Sequence, residues 1–223
     1  MGSDDLHHKK KARVQSDLRR RVAKRASYDK VLIVCEGEKT EPNYFLELIS
    51  YYKINSANVA VDGNCGSSPR SVLRRAEELV RSEEKKGDGF DRVYCVFDKD
   101  EHETFDEVIE IIRAKKGKCL FFATTSIPCF EYWLLLHFQY TTKPFHRAGK
   151  SSIANEVLKE LKGYMPNYSK GDKDVFSHLF GQTDFAKANA ARSLSAAEKN
   201  HTSNPTTKVH ELIDYLENLK RKN

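Results

Sequence analysis

The sequence predicts an α/β domain with a mainly parallel four-stranded sheet flanked by helices, followed by a helical C-terminal addition. Three observations predict it. Four short β-branched or aromatic runs alternate with amphipathic stretches between residues 30 and 127. The first of these runs is continuously apolar, as expected of a strand covered on both faces. From Pro128 onward the strand signals fade and helical periodicity takes over.

The first strand is "KVLIVC" (30–35). Glu41 to Tyr52 follows as a helix, with Tyr44, Phe45, Leu48 and Tyr51/Tyr52 at helical spacing and Pro42 suited to its first turn. "NVAVDG" (58–63) is the second strand, and the loop "GNCGSSPRS" delivers a helix whose Val72, Leu73, Ala76, Leu79 and Val80 make one apolar stripe. "KKGDGFD" ends that helix, and "RVYCVF" (92–97) is the third strand. Glu103 to Lys116 is a helix with Phe105, Val108, Ile109 and Ile112 inward, and "KCLFFAT" (118–124) is the fourth strand. The remainder reads as four helices: "PCFEYWLLLHFQ" opened by Pro128, "SSIANEVLKELKGY", "DFAKANAARSLSAAEKN", and "NPTTKVHELIDYLENLKRK" with Asn204 as cap and Pro205 at the first helical position. The chain thus divides into a basic arm (1–29), an α/β region (30–127) and a helical region (128–223) packed on it.

At 223 residues the chain buries a sizeable core without staples. Its net charge of +6 lies wholly at the front: residues 1–30 hold ten Lys/Arg against four Asp/Glu, and the rest hold twenty-eight of each. This arm, with Lys9, Lys10, Lys11, Arg19, Arg20 and Arg21, is either a polycation that touches nucleic-acid phosphates or a solvated tail. It lacks the apolar stretch of a signal peptide, and MGSDDL lacks the Ser or Thr of a myristoylation pattern. The longest apolar run, "CFEYWLLLHF", contains Glu131 and is far short of a membrane span. The five cysteines form no CxxC pair, and Cys35, Cys95 and Cys119 fall in or beside strands, where a thiol packs as a small apolar group. A cytoplasmic location is expected.

Two acidic clusters carry the chemistry. "IVCEGEKTEPNYF" places Glu36, Glu38 and Glu41 just past the first strand, and "VYCVFDKDEH" places Asp98 and Asp100 just past the third. In an extended segment Asp98 and Asp100 point to one side with Lys99 opposite. Parallel strands joined by right-handed crossovers bring both clusters to the C-terminal edge of the sheet, where such folds bind ligands. Two carboxylates about 5 Å apart repel by roughly 3 kcal/mol at an effective dielectric of ~20. The site must protonate one, supply cations or bind a hard metal ion; oxygen donors without His or Cys suit Mg²⁺ or Mn²⁺ over zinc.

"EG" closing the first strand and "DxD" closing a later one resembles the Toprim domains of topoisomerases, bacterial primases and overcoming-lysogenization-defect nucleases. More narrowly, "VLIVCEGEKTEPNYF", "FDKDEH", "IPCFEYWLLLHF" and "NPTTKVHEL", in this order, resemble the RloB family, which is similar to the AbiL abortive-infection component. The resemblance covers about residues 30 to 220 and leaves the arm outside. It implies a Toprim-like fold, metal-dependent cleavage of DNA or RNA phosphodiesters (transfer RNA among them), and a role in bacterial anti-phage defence beside an ATPase partner of the ABC or AAA type. By position Glu36 matches the Toprim glutamate and Asp98 and Asp100 its aspartate pair. "EGEKTE" is one residue longer than the EGxTE of related nucleases, which leaves the second glutamate metal ligand open between Glu38 and Glu41; either could also take the proton from the attacking water. Glu131 is either a ligand to a second ion or a carboxylate favoured by a helix first turn. Lys170 in "NYSKGD" is either a stabiliser of transition-state charge or a solvated loop residue. Homo-oligomerisation is left open.

Several other features carry less. His137 and Trp133 read as packed residues, and "GSSPRS" (66–71) as a turn plus cap, although its helix-N-terminal amides suit a phosphate. A topoisomerase would need a positioned tyrosine nucleophile, and the chain lacks room for strand passage. A haloacid-dehalogenase phosphatase would need DxDxT, where this sequence has His102. The rival left standing is a non-catalytic Toprim-type module that binds nucleic acid or a partner; all three filled acidic positions favour the enzyme.

Overall fold

The structure is a computed structural model, and it describes residues 27–99 and 103–219. The four expected strands form as β1 (Val31–Cys35), β2 (Val59–Asp62), β3 (Arg92–Asp98) and β4 (Leu120–Ile127), all parallel. The helices between them are α1 (Thr40–Tyr51), α2 (Pro69–Lys85) and α3 (Phe105–Ala114). Beyond β4 follow α4 (Glu131–Leu135), α5 (Ile153–Lys162), α6 (Val175–Leu179), α7 (Thr183–Lys199), β5 (Thr206–Thr207) and α8 (Val209–Asn218).

The sheet has five strands, in the order β2-β1-β3-β4-β5, which corrects the expectation of four. The fifth strand lies in "NPTTKVHEL", a stretch expected to be helical from Pro205 onward. Asn204 does not cap a helix: its side chain donates to Phe145 O at 2.7 Å and accepts from Phe145 N–H at 3.3 Å. The β-branched pair Thr206–Thr207 instead adds antiparallel to Ser126 and Ile127, and the Ser126 and Thr207 hydroxyls bond at 3.1 Å. Helix α8 therefore begins at Val209. A second correction concerns Pro128, which stands before α4 rather than opening it. The amide of Phe130, at the mouth of α4, is held by the Asp98 carboxylate at 3.1 Å. Helix α6, unexpected from the sequence, buries Val175, Phe176 and Leu179.

Both faces of the sheet are covered, which is why its strands read as continuous apolar runs. Leu32, Val34, Val93, Cys95 and Phe97 face the apolar stripes of α2 and α3. Val31, Ile33, Cys35 and Val96 face α1, and on the same side α4 and α8 contribute Trp133, Leu134, Leu212 and Leu216 to one continuous cluster. Residues after Pro128 thus share a core with the sheet, each large apolar side chain buried there stabilising the fold by about 1.5–3 kcal/mol. All five cysteines are free thiols, four of them buried. Among the described residues no helix is long and apolar enough to cross a membrane.

Candidate metal centre

Four carboxylates and one ammonium meet in a cavity of about 210 Å³ at the C-terminal edge of β1 and β3, lined by Glu36, Glu41, Asp98, Glu131 and Lys170. They come from four separate stretches of chain. Glu36 follows the last residue of β1, and its amide donates to Val96 O at 2.9 Å, so the ladder with β3 carries it to the edge. Its Oε2 accepts the amide of Asp98, the last residue of β3, at 3.1 Å. Glu36 and Asp98, one from each acidic cluster of the sequence, are therefore brought together. Asp98 in turn accepts the Phe130 amide, one residue before Glu131.

Glu41 sits in the first turn of α1, where a carboxylate is favoured by the helix dipole. It is buried and lines the cavity, whereas Glu38 is exposed and does not. Of the two, only Glu41 stands where it could take part in the cavity's chemistry. Gly37 makes this placement feasible: a Cβ added there would overlap the Glu41 carboxylate. The glycine of "EG" is a space requirement of the site as much as a turn.

Glu131 is only 1% exposed. Its Oε1 accepts from the Tyr168 hydroxyl at 3.4 Å and pairs with Lys170 Nζ at 3.3 Å, while its Oε2 is buried without a partner among the described residues. Lys170 is held by its neighbour Gly171, whose amide donates to Thr40 Oγ1 at 2.9 Å and whose carbonyl accepts from Asn43 at 3.0 Å. Gly171 has φ +83, with the Lys39 side chain 3.0 Å from where a Cβ would stand, so a glycine is required. Both α1 contacts fasten the Lys170 loop over the cavity.

The family question is decided by a match that spans residues 31–216, most of the chain, to the RloB-like protein family. The chain belongs to the RloB-like protein family. No curated protein and no solved structure matches it. The match leaves the first thirty residues outside, as the sequence motifs did.

The electrostatics of this RloB-like site show an excess of negative charge. Burial pushes the Glu41 carboxyl up to about 7; Glu131 and Glu36 add to the effect, while its own backbone amide and Lys170 oppose it. Asp98 is held well above the ordinary carboxylate range by burial, then by Glu41, Glu131 and Glu36, against the Phe130 amide. Burial works against the Lys170 charge, but Glu131, with Cys129 and Asp98, more than offsets it and the pKa is raised. One ammonium does not neutralise four carboxylates. An all-oxygen donor set with an orphaned buried oxygen fits a hard divalent cation. Among the described residues, no three Asp, Glu, His or Cys side chains already stand at ligand spacing.

Asp100, His102 and the arm residues Lys9, Lys10, Lys11, Arg19, Arg20 and Arg21 lie outside the described residues. His137 is packed, its Nδ1 within 3.1 Å of Trp133 O. "GSSPRS" forms a capping box between Ser68 and Ser71 with Pro69 at the start of α2. Three contributors were not foreseen: Ser67 and Thr40, which line the cavity, and Tyr168, which bonds Glu131. Ser67 and Thr40 stand in motifs that were legible, but their orientation depends on where α1 and α2 begin.

Proposed function

We propose that this RloB-like chain is a Toprim-type nuclease that hydrolyses nucleic-acid phosphodiesters with Mg²⁺ or Mn²⁺. It acts in the cytoplasm as the effector of an anti-phage abortive-infection system, under the control of an ATPase of the ABC or AAA type. The observation that carries the reading is the convergence of Glu36, Glu41, Asp98 and Glu131 on one small cavity with a buried carboxylate oxygen left unpaired.

When bound, the ions would neutralise the scissile phosphate and activate water for in-line attack. Glu36 and Asp98, already fixed by backbone bonds, are the ligands that need least rearrangement. Glu131 supplies its free oxygen, and Asp100 follows two residues after Asp98. Glu41, buried in the first turn of α1 and lining the cavity, is placed to take the proton from the attacking water. Lys170 faces the charge that develops on the phosphate. Tyr168 is unsuited to a topoisomerase-type attack, because burial and Glu131 raise its pKa and its hydroxyl is held by that carboxylate.

The second reading, a non-catalytic Toprim-type binding module, is favoured by the absence among the described residues of a ligand trio already at bonding distance. The decisive assay incubates the protein with plasmid, single-stranded DNA and total transfer RNA, in Mg²⁺, Mn²⁺ or chelator, beside Asp98→Ala and Glu36→Ala. Metal-dependent cutting lost in both variants supports the nuclease. Cutting that survives both substitutions, or no cutting under any condition with the ATPase present, overturns it.

A further inference from the structure

Glu131 enters the carboxylate cavity with two unequal oxygens. Both of its side-chain partners sit on Oε1: the Tyr168 hydroxyl donates to it at 3.4 Å, and Lys170 Nζ pairs with it at 3.3 Å. Oε2 is buried with no partner among the described residues. The two donors differ in their freedom to leave. The Lys170 side chain is half-exposed, whereas the Tyr168 ring is packed into the core cluster. They stand two residues apart on one loop between α5 and α6, and α1 fastens that loop at four points. Thr40 Oγ1 accepts the Gly171 amide at 2.9 Å, and Asn43 donates to the Gly171 carbonyl at 3.0 Å. The Glu47 carboxylate accepts the amides of Asp174 and Ser177. The same helix carries Glu41, so one element places a cavity carboxylate and also the loop that holds one side of Glu131.

A carboxylate with one oxygen engaged by two donors offers a cation the other oxygen alone. The chemistry of hard cations turns this into a choice between ions. Ca²⁺ accepts one or both oxygens of a carboxylate within a loose shell of six to eight ligands. Mg²⁺ demands a near-ideal octahedron, which two oxygens on one carbon are too close together to fit. A glutamate held to one-oxygen ligation therefore costs Mg²⁺ nothing and withholds a ligand from Ca²⁺. We propose that Tyr168 is a positioning residue that, with Lys170, blocks two-oxygen ligation by Glu131 and so makes the cavity select Mg²⁺ over Ca²⁺. The inference rests on the metal site of the proposed nuclease and deepens it by naming the residues that choose the ion.

Mn²⁺ binding to the full chain is followed by loss of the free-ion electron paramagnetic resonance signal, and Mg²⁺ or Ca²⁺ is then titrated in as competitor. The readout is the ratio of the two competitor affinities, because a change in site charge or a partly folded sample scales both alike. Mg²⁺ should displace Mn²⁺ from the wild type at lower concentration than Ca²⁺; the reverse order overturns the proposal. Tyr168→Phe keeps the buried ring and removes only the hydroxyl. It should lower the Mg²⁺-over-Ca²⁺ ratio about threefold, and Tyr168→Phe/Lys170→Met about tenfold, at the low end of what partners of ligating groups contribute to metal affinity. Asn43→Ala, which loosens the loop without touching Glu131, should shift the ratio the same way. With Glu131→Ala already in place, Tyr168→Phe should shift it no further. An unchanged ratio in both Tyr168 variants, with Mn²⁺ still bound, overturns the proposal and leaves the metal site standing. A Tyr168→Phe shift that persists without Glu131 also overturns it, since the hydroxyl would then act elsewhere. Mn²⁺ binding absent from the wild type, or indifferent to Asp98→Ala, removes the metal site and both readings with it. The expected shift in a protein that cuts no nucleic acid removes the nuclease and keeps the proposal.

Discussion

Lys170 Nζ stands 3.3 Å from one oxygen of Glu131, while the other oxygen of that carboxylate is buried without a partner among the described residues. A half-satisfied buried carboxylate is costly, and here the ammonium that relieves it reaches in from a half-exposed position. The pair satisfies one oxygen of Glu131 and leaves the other, which under the proposed function is the side a cation would take. Lys170→Met should therefore lower the stability of the ion-free protein by about 1–3 kcal/mol, less than for a fully buried pair because the lysine is partly solvated. Saturating Mg²⁺ should return much of the loss. Urea unfolding with and without Mg²⁺ measures both; a variant as stable as wild type in chelator would contradict the argument.

The ligand positions make a sharper contrast. Glu36→Ala or Asp98→Ala should reduce cleavage at least about a hundredfold, on the order of 3 kcal/mol of transition-state stabilisation. Glu38→Ala should change it less than about twofold, because Glu38 is exposed and does not line the cavity. Parallel rates on one oligonucleotide substrate test the pair of expectations. Equal losses at Glu38 and Glu36 would return the second glutamate to the wrong side of the loop.

How far these positions were legible differs from residue to residue. Glu36 and Asp98 could be placed because each follows an apolar run, and parallel strands put such ends on one edge. Glu41 could not be separated from Glu38, since the choice depends on whether α1 begins at Thr40, and "EKTEP" permits neighbouring starts. The fifth strand was hidden more deeply. Thr206–Thr207 is two residues long, and what makes it a strand is pairing with Ser126–Ile127, some eighty residues earlier in the chain. Local propensity favoured a helix after Asn-Pro; the tertiary bonds of Asn204 to Phe145 overrode it. Lys170 was visible as a residue of interest, but its fastening through Gly171 to Thr40 and Asn43 is long-range.

Glu41 predicts a dependence on pH. Its pKa rises from 4.5 to about 7 on folding, so the folded state holds the proton where the unfolded state has released it. That stability is complete below pH 4.5 and is lost as pH rises through about 7. His137 acts the other way, because burial lowers its pKa to about 4 and its contribution disappears as pH falls from 6.5. The wild-type profile mixes both effects. The difference between wild type and Glu41→Gln isolates the first: in chelator, the variant should gain up to about 3 kcal/mol relative to wild type between pH 4.5 and pH 7.5, the linkage limit of the shift. Urea midpoints at the two pH values measure it, and a pH-independent difference would refute the assignment.

Gly37 gives the most local test. A methyl group at this position overlaps the Glu41 carboxylate, the far end of that side chain, which must shift to make room. The backbone at Gly37 needs no left-handed conformation, so Gly37→Ala imposes no strain of that kind on the chain itself. The substitution should thus leave the fold within about 1 kcal/mol of wild type and act on the site. Displacing Glu41 removes the group best placed to take the proton, which predicts a loss of about 10²–10⁴ in the cleavage rate. Glu41→Ala should lose a similar amount, and the double substitution should lose little more than either alone, because both remove the same carboxylate from the same place. A double variant whose losses simply multiply would show that Gly37 acts through something other than Glu41.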